Sequence, residues 1–279
     1  MTLLAAATGC GTAAESGPDR ATTAPVLHRG TGTVLQSPEH GPELCLGGMD
    51  MSLPPQCGGV PLQGWDWTQV ADEESVNGTT WGSYTVTGRY DGARLTLTAP
   101  PTPPASSDPG PAPPDPFHTP CAPPDGGWRV VGTGPTGEAG VQAVQGAVRD
   151  QPDFAGLWID QPPPGDDPEA APPPPEQQVL NVAFTGDLER HEAELRRLWS
   201  GPLCVSELRH TYAELVALQQ ELIPTVAEEL GLQPLFSSVL ETRNVVELGV
   251  VAVTPMQEAA VRERYGDAVE VTAGLQPVD

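Results

Sequence analysis

Phe154–Asp160 reads FAGLWID and Gln178–Thr185 reads QVLNVAFT, two short apolar runs on either side of a proline-rich stretch. Runs of this length that are rich in aromatic and β-branched residues predict buried β-strands. The next segment, Asp187–Trp199, contains HEAELRRLW, in which leucines recur at helical spacing. The expected structure of this stretch is therefore a β-hairpin followed by a helix.

The same order of patterns recurs nearer the C-terminus. Phe236–Thr242 reads FSSVLET, Asn244–Thr254 reads NVVELGVVAVT, and Gln257–Tyr265 reads QEAAVRERY. Two apolar runs are again followed by a helical pattern, and Val269–Thr272 adds a final strand candidate that closes the sheet. The sequence predicts two hairpin–helix units in one α/β region.

Helix boundaries in this region carry their own signals. A long helix is predicted over Tyr212–Leu230, because Thr211 and Glu214 have the spacing of a capping box and Gly231 is a natural helix stop. A second capping box begins the last helix at Thr254.

The repeated units resemble the paired α/β subdomains in the propeptides of secreted actinobacterial serine proteases of the streptogrisin and α-lytic type. The residues that carry the resemblance are Phe154–Asp160, Val182–Thr185 and Asn244–Thr254. The resemblance implies an α/β fold and a role as inhibitor or folding aid of a secreted protease. The chain as a whole resembles uncharacterised secreted lipoproteins of actinobacteria.

The predicted fold class is α+β, with a small N-terminal β domain, a barrel or a sandwich, at 28–99. A proline-rich linker at 100–127 joins it to the α/β domain of two hairpin–helix units at 128–279, which carries a proline-rich insert at 161–177. Within the latter domain, Trp128–Val131 (WRVV) is expected as a further strand.

The β domain contains one strong hairpin signal. Two alternating runs within Trp81–Thr98 surround Asp91-Gly92, a preferred hairpin turn. An open oligonucleotide/oligosaccharide-binding-type barrel is one candidate for this domain. Trp65 and Trp67 lie close together in sequence, either as partial core packing or as a carbohydrate-stacking platform.

The charge of the chain excludes one class of partner. It carries 37 acidic and 13 basic residues, for a net charge of -24. Such a surface repels phosphate backbones, so no nucleic acid partner is expected. Every basic residue is arginine, which indicates a GC-rich coding genome.

The N-terminus suggests export and anchoring. Residues 1–9 are interpreted as a signal-peptide remnant and 10–27 as a flexible tether. Thr8-Gly9-Cys10 after the apolar run Leu3–Ala7 resembles a lipobox, in which Cys10 becomes the acylated first residue. A basic segment before the apolar run is missing, so the true start is expected upstream of Met1. The predicted location is the outer face of the cell membrane, through the lipid on Cys10.

The other cysteines form an even set. Cys45, Cys57, Cys121 and Cys204 permit three connectivities in an exported protein, and we favour Cys45–Cys57 with Cys121–Cys204. The chain lacks a C-x-x-C pair and a histidine at ligand spacing from these cysteines, so no metal site is expected.

Two motifs resemble active-site fragments and are discounted. Gly132–Gly137 fits G-x-G-x-x-G, but Pro135 stiffens it and no third parallel strand pattern follows. His191-Glu192 begins H-E-x-x-H, but Leu195 replaces the second histidine. That helix is interpreted as an exposed charged face with leucines inward. The sequence predicts no catalytic residues and no cofactor.

Three functions remain open at this point. The first is a non-enzymatic envelope lipoprotein that acts as a tethered binding or interaction module. The second is a propeptide-like regulator of a secreted protease, with Val269–Asp279 presented to that partner. The third is a hydrolase whose site has no recognisable motif.

Overall fold

The structure is a computed structural model that describes residues 26–50, 52–105, 115–161, 174 and 177–278. Within these ranges the protein is α+β, as the sequence predicts, and it has four α-helices and three sheets. The sheets have seven, three and three strands.

Five strands of the large sheet close on themselves. Its strands are β1 (Leu27–Gln36), β2 (Glu43–Cys45), β3 (Val60–Gln63), β4 (Glu74–Val76), β5 (Thr79–Tyr90), β6 (Leu95–Leu97) and β13 (Gln276–Val278). The order is β13-β1-β2-β3-β6-β5-β4, and β1 pairs in addition with β5. The pairings β1–β2–β3–β6–β5–β1 therefore form a ring, the arrangement of a small barrel. The residues buried inside it include Val34, Leu44, Tyr84, Val86 and Leu95.

The hairpin predicted within Trp81–Thr98 is confirmed. β5 and β6 pair antiparallel, and the Asp91 carboxylate accepts hydrogen bonds from the backbone N–H groups of Ala93 and Arg94, both at 2.9 Å. Gly92 has a φ of 96°, which only glycine adopts without strain.

A first α/β unit follows the barrel strands. It consists of α1 (Gly137–Val148), β7 (Phe154–Asp160), β8 (Val179–Phe184), α2 (Leu188–Leu195) and β9 (Leu203–Glu207). β7 pairs antiparallel with β8, and β8 pairs parallel with β9. Every residue of β8 is buried, because both faces of this central strand are covered.

The second unit has the same element order. It consists of α3 (Tyr212–Leu230), β10 (Pro234–Leu240), β11 (Val245–Val250), α4 (Pro255–Tyr265) and β12 (Val269–Ala273). Both predicted capping boxes are present, at Thr211 and at Thr254, and Gly231 ends α3 with a φ of 62°. β11 pairs antiparallel with β10 and parallel with β12.

The two units correspond position by position. Leu180 pairs with Leu203 and Val246 pairs with Val269, so from β8 to β9 each residue matches the one 66 positions later. Backbone hydrogen bonds repeat at the same offset: Leu208 N–H to Phe184 O and Gly274 N–H to Val250 O are both 2.9 Å.

The first strands of the two hairpins, β7 and β10, also correspond, but the offset between matching residues is not the 66 positions found for the later strands. Each has a register shift at its start, between Phe154 and Gly156 in β7 and between Pro234 and Phe236 in β10. Phe154 therefore matches Pro234, and the sequence-based alignment of FAGLWID with FSSVLET is two residues out of register. The long proline-rich connection between β7 and β8 replaces a turn of four residues, which hides the offset.

Trp128–Val131 forms no strand, contrary to expectation. Positive φ angles occur on both sides of this segment, at Gly126 and Gly127 before it and at Gly132 after it. The chain therefore turns at both ends of the segment. Its one backbone contact of note is Val131 N–H to Ser200 O, 2.7 Å.

The C-terminal segment Val269–Val278 forms parts of two sheets. Val269–Ala273 is β12, and Gln276–Val278 pairs antiparallel with Leu27–Arg29 of β1. Leu275, between these strands, is completely buried in the barrel core with Val251. The last strand thus crosses from the second α/β unit to the N-terminal sheet.

Candidate functional site

The loop between β2 and β3 is closed by the predicted Cys45–Cys57 disulfide. Asp50 N–H donates to Gln56 O at 2.8 Å, and Ser52 Oγ donates to Pro54 O at 2.7 Å. These bonds hold the loop in shape, although Ser52 and Leu53 within it are exposed. Leu53 is 74% exposed.

A concave groove of about 590 Å³ lies between this loop and the outer face of β5. Tyr84 and Val86 point into the barrel core, so Trp81 and Ser83 lie on the opposite face of the same strand. The groove is lined by Thr33 and by residues of four further segments: 49–55, 71–74, 81–84 and 103–104. The site could not be predicted from the sequence, because its walls are far apart along the chain.

The groove is acidic. Among the described residues that line it are the carboxylates of Asp50, Asp72 and Glu74, and none of those residues is basic. The pKa of Tyr84 is raised by burial and then by the negative charges of Glu73 and Asp72. The phenol therefore stays protonated, and the local potential favours a positively charged ligand group.

Apolar side chains complete the walls. Trp81 is buried against Leu35 and Cys45 behind the groove, and Met49 and Leu53 are exposed beside it. Tyr84 Oη donates to Ala71 O at 2.9 Å, which fixes the segment that carries Asp72. The site thus combines exposed carboxylates with apolar contact surface, a composition found in small-ligand sites.

The Trp65–Trp67 pair is partial core packing at the end of the barrel. Trp65 meets Trp67 and Tyr84 edge to face, each at 5.1 Å between ring centroids. Trp67 Nε1 donates to Gln36 Oε1 at 2.8 Å. Rings that contact one another edge to face do not offer the flat, open surface on which a sugar stacks.

The comparisons give this geometry no family context. No family model matches the chain. No curated protein and no solved structure matches it either.

The glycine motif Gly132–Gly137 is a packed turn. No strand precedes it within the described residues from 115 onward, and α1 begins at Gly137. Ser200 N–H donates to Pro135 O at 2.9 Å, and Gly140 lies against the Trp199 ring. Within the motif, Gly132 and Gly137 have positive φ, and a Cβ atom on Gly134 would meet Ser200, so a turn and one close contact account for its glycines.

His191 of the HEAEL segment is buried, so the interpretation of this helix as an exposed charged face is wrong at that position. Its imidazole stacks on Phe184 at 3.5 Å between ring centroids, and Nε2 is 2.7 Å from Asp153 Oδ2. Leu195 faces inward as predicted. The described residues include no group of three or more potential metal ligands.

Asp153 is the carboxylate that contacts both His191 and Arg190 in this cluster. Partial burial would raise its pKa, but the hydrogen bond with His191 and the positive charge of Arg190 outweigh it, so the pKa is lowered. Arg190 also contacts Asp187 and Glu194, at 3.8 and 3.5 Å. The cluster joins α2 to the start of β7 and has the character of a structural ion network.

The second predicted disulfide, Cys121–Cys204, is also present and joins the proline-rich linker to β9. Both disulfides indicate an extracytoplasmic protein. None of the helices in the described part of the chain is long and apolar enough to cross a membrane. Cys10, the predicted lipidation site, lies outside the described residues, as do most residues of the 161–177 insert.

Proposed function

We propose that the protein is a non-enzymatic binding module, tethered to the outer face of the cell membrane through lipid on Cys10. Its groove beside the Cys45–Cys57 loop binds ligands that carry a positive charge on an apolar body. The supporting observation is the groove itself, lined by three carboxylates and apolar side chains, with no basic residue among its described walls.

The proposed domain layout serves this role. The β domain at 28–99 holds most of the groove. The linker at 100–127 adds Pro103 and Pro104 to its wall and connects it to the α/β domain at 128–279, and residues 10–27 form the tether. β13 couples the two domains by pairing with β1.

A matched pair of probes tests the ligand class. Benzylamine and benzoate share an aromatic ring and differ in charge, so isothermal titration calorimetry with each isolates the electrostatic contribution. We expect benzylamine to bind, with an affinity that falls as salt is raised, and benzoate not to bind.

Variants locate the binding to the groove. Asp72→Asn combined with Glu74→Gln is expected to weaken benzylamine binding by roughly tenfold. Glu263→Gln on α4, which is exposed and does not line the groove, is the control. Equal binding of the two probes, or equal losses in the groove variant and the control, would refute the proposed ligand class.

The anchor is tested by the intact mass of protein extracted from membranes. We expect the mass of a diacylglyceryl group on Cys10 and no free thiol at the four other cysteines. An unmodified Cys10 would remove the anchor from the proposal and leave the groove to be judged by its own titration.

A second candidate function is regulation of a secreted serine protease. The observation that favours it is the pair of corresponding α/β units, related by the 66-residue offset between β8–β9 and β11–β12. Inhibition of a secreted protease of the α-lytic type, or faster recovery of its activity on refolding, would support this role. Neither effect at equimolar protein would count against it.

A further inference from the structure

A short segment of the linker crosses the outer face of the β7–β8–β9 sheet. This strap, residues 115–121, is tied to β9 by the Cys121–Cys204 disulfide. Thr119 N–H donates to Asp160 Oδ2 at 2.7 Å, and Asn181 Nδ2 donates to Thr119 Oγ1 at 3.2 Å. The strap thus contacts all three strands on one face.

That face holds most of the unpaired buried polar atoms of the described residues. In all the described residues, five buried side-chain nitrogen or oxygen atoms have no hydrogen-bond partner. Three of these five lie on this face: Trp158 Nε1, Asn181 Oδ1 and Ser206 Oγ. Trp158 pairs across the sheet with Asn181, and Asn181 with Cys204, so their side chains share the face of the strap; Ser206 follows two residues after Cys204.

These atoms weaken the closed arrangement. A buried polar atom without a partner loses its hydration and gains nothing in return. If the strap moved away, water would reach the Asn181 amide, which the strap covers through Thr119. The strap also buries little apolar surface of its own, since Phe117 is 52% exposed. Its attachment therefore depends strongly on the covalent bond.

The corresponding face of the sheet in the second α/β unit has no disulfide at the position of Cys204. Asn181 corresponds to Glu247 and Cys204 to Glu270, and both glutamates are partly exposed. Charged side chains suit a face that water reaches. The first unit has neutral residues at these positions and covers them, which indicates that its cover is a specific feature of this unit.

We propose that the strap is a redox-releasable cover, opened by reduction of Cys121–Cys204 with a dithiol. A thiolate of the dithiol attacks Sγ of Cys121, which is partly exposed, and displaces the thiolate of Cys204, which is 1% exposed. The second thiol then attacks the mixed disulfide and releases Cys121. Two electrons and two protons pass to the cysteines, and the dithiol leaves as its own disulfide.

Release uncovers Asn181, whose amide is bonded to Thr119 of the strap, while α1 and α2 keep the opposite face of the sheet packed. The face opposite the strap is covered by Val144 of α1, Leu195 of α2 and their neighbours. The device is independent of the groove and of its ligand.

Hydrogen exchange of the full chain tests the proposal. In Cys121→Ser we expect the Thr119 amide, which is bonded to Asp160, to exchange roughly tenfold faster or more, with α1 and α2 amides unchanged. Cys57→Ser, which opens the other disulfide, is the matched control and should leave Thr119 protected. Graded reduction of the wild-type protein, with mass-tagged thiols, gives the same readout if the variant does not fold.

Two outcomes would overturn the proposal. Unchanged protection of Thr119 after loss of the disulfide would mean that non-covalent contacts hold the strap. Equal acceleration of Thr119 and of the α1 and α2 amides would mean that the disulfide stabilises the whole unit and does not act on a separate cover.

Discussion

At the scale of single residues, His191 illustrates what a helical pattern cannot reveal. The sequence places it in a charged segment, HEAEL, and the pattern predicts a solvated face. The structure buries it because the Phe184 ring and the Asp153 carboxylate, both distant in sequence, provide a stacking surface and a hydrogen-bond partner. A buried histidine is stable in this position only because its polar nitrogen is paired.

Asp153→Asn should destabilise the fold in a pH-dependent way. The folded-state pKa of Asp153 lies below its ordinary value of 3.8, so its contribution is complete above that value and is lost as pH falls through the folded pKa. We expect the variant to lose about 1–3 kcal/mol of unfolding free energy at pH 7. Urea titrations at pH 3, 5 and 7 measure this effect.

Asp150→Asn, an exposed carboxylate at the end of α1, is the control for this experiment. The wild-type protein should lose stability between pH 5 and 3, and the Asp153 variant should lose less. Identical pH profiles for the two variants would show that Asp153 is not linked to stability.

The pKa of Glu241 is shifted in the opposite direction to that of Asp153. Burial raises its pKa, and the hydrogen bond from Leu157 N–H lowers it by less. The stability associated with this group is complete below its ordinary value of 4.5 and declines as pH rises through the raised folded pKa. Glu241→Gln keeps an acceptor for Leu157 N–H and removes the charge.

We therefore expect Glu241→Gln to be at least as stable as the wild type at pH 7 and to show a flatter profile between pH 4.5 and 7. Thermal unfolding monitored by circular dichroism measures it, with Glu263→Gln as the exposed control. A variant less stable than the wild type at pH 7 would contradict the assigned role.

At the scale of elements, the two hairpins place glycine on opposite strands of one matching residue pair. Gly156 pairs with Ala183 in the first unit, and Phe236 pairs with Gly249 at the corresponding positions of the second. A Cβ atom on Gly249 would lie 2.6 Å from Cζ of Phe236. The large ring thus requires glycine on its partner strand, and the pair without a ring tolerates alanine.

Gly249→Ala is expected to destabilise the second unit by about 1–3 kcal/mol, because the added methyl group overpacks against Phe236. Phe236→Gly combined with Gly249→Ala reproduces the pair found in the first unit and should recover part of the loss. Chemical denaturation of the wild type, both single variants and the double variant forms a double-mutant cycle. Purely additive losses would contradict the proposed coupling.

Local signals made some elements predictable to the residue. α3 begins and ends where Thr211, Glu214 and Gly231 predict, because capping is decided by neighbours in sequence. Both disulfide pairings were also anticipated. The register of the repeat was not predictable, because a long insert hides it. The acidic groove was not predictable either, because five separated parts of the chain form it.

At the scale of the whole molecule, the barrel and the second α/β unit share one core. Val251 and Leu275, from the C-terminal unit, are buried with Val34 and Leu44 of the barrel. A shared core of this kind couples the unfolding of the parts that contribute to it.

Leu275→Ala should cost about 2–5 kcal/mol, because it leaves a cavity at a completely buried position. The loss should be the same whether it is followed by tryptophan fluorescence or by far-ultraviolet circular dichroism. Met256→Ala, at a position 80% exposed, is the control and should be nearly neutral. Transitions that separate in the wild type would show that the barrel unfolds independently.

The pairing of β1 with β13 also sets an order of events during biosynthesis. Chains emerge from the ribosome N-terminus first, and early segments can fold before later ones exist. Leu27–Arg29 receives its neighbour, Gln276–Val278, only after both α/β units that lie between them in sequence have been made. Contacts so distant in sequence form slowly. The large sheet thus gains its last strand only after both α/β units have been synthesised.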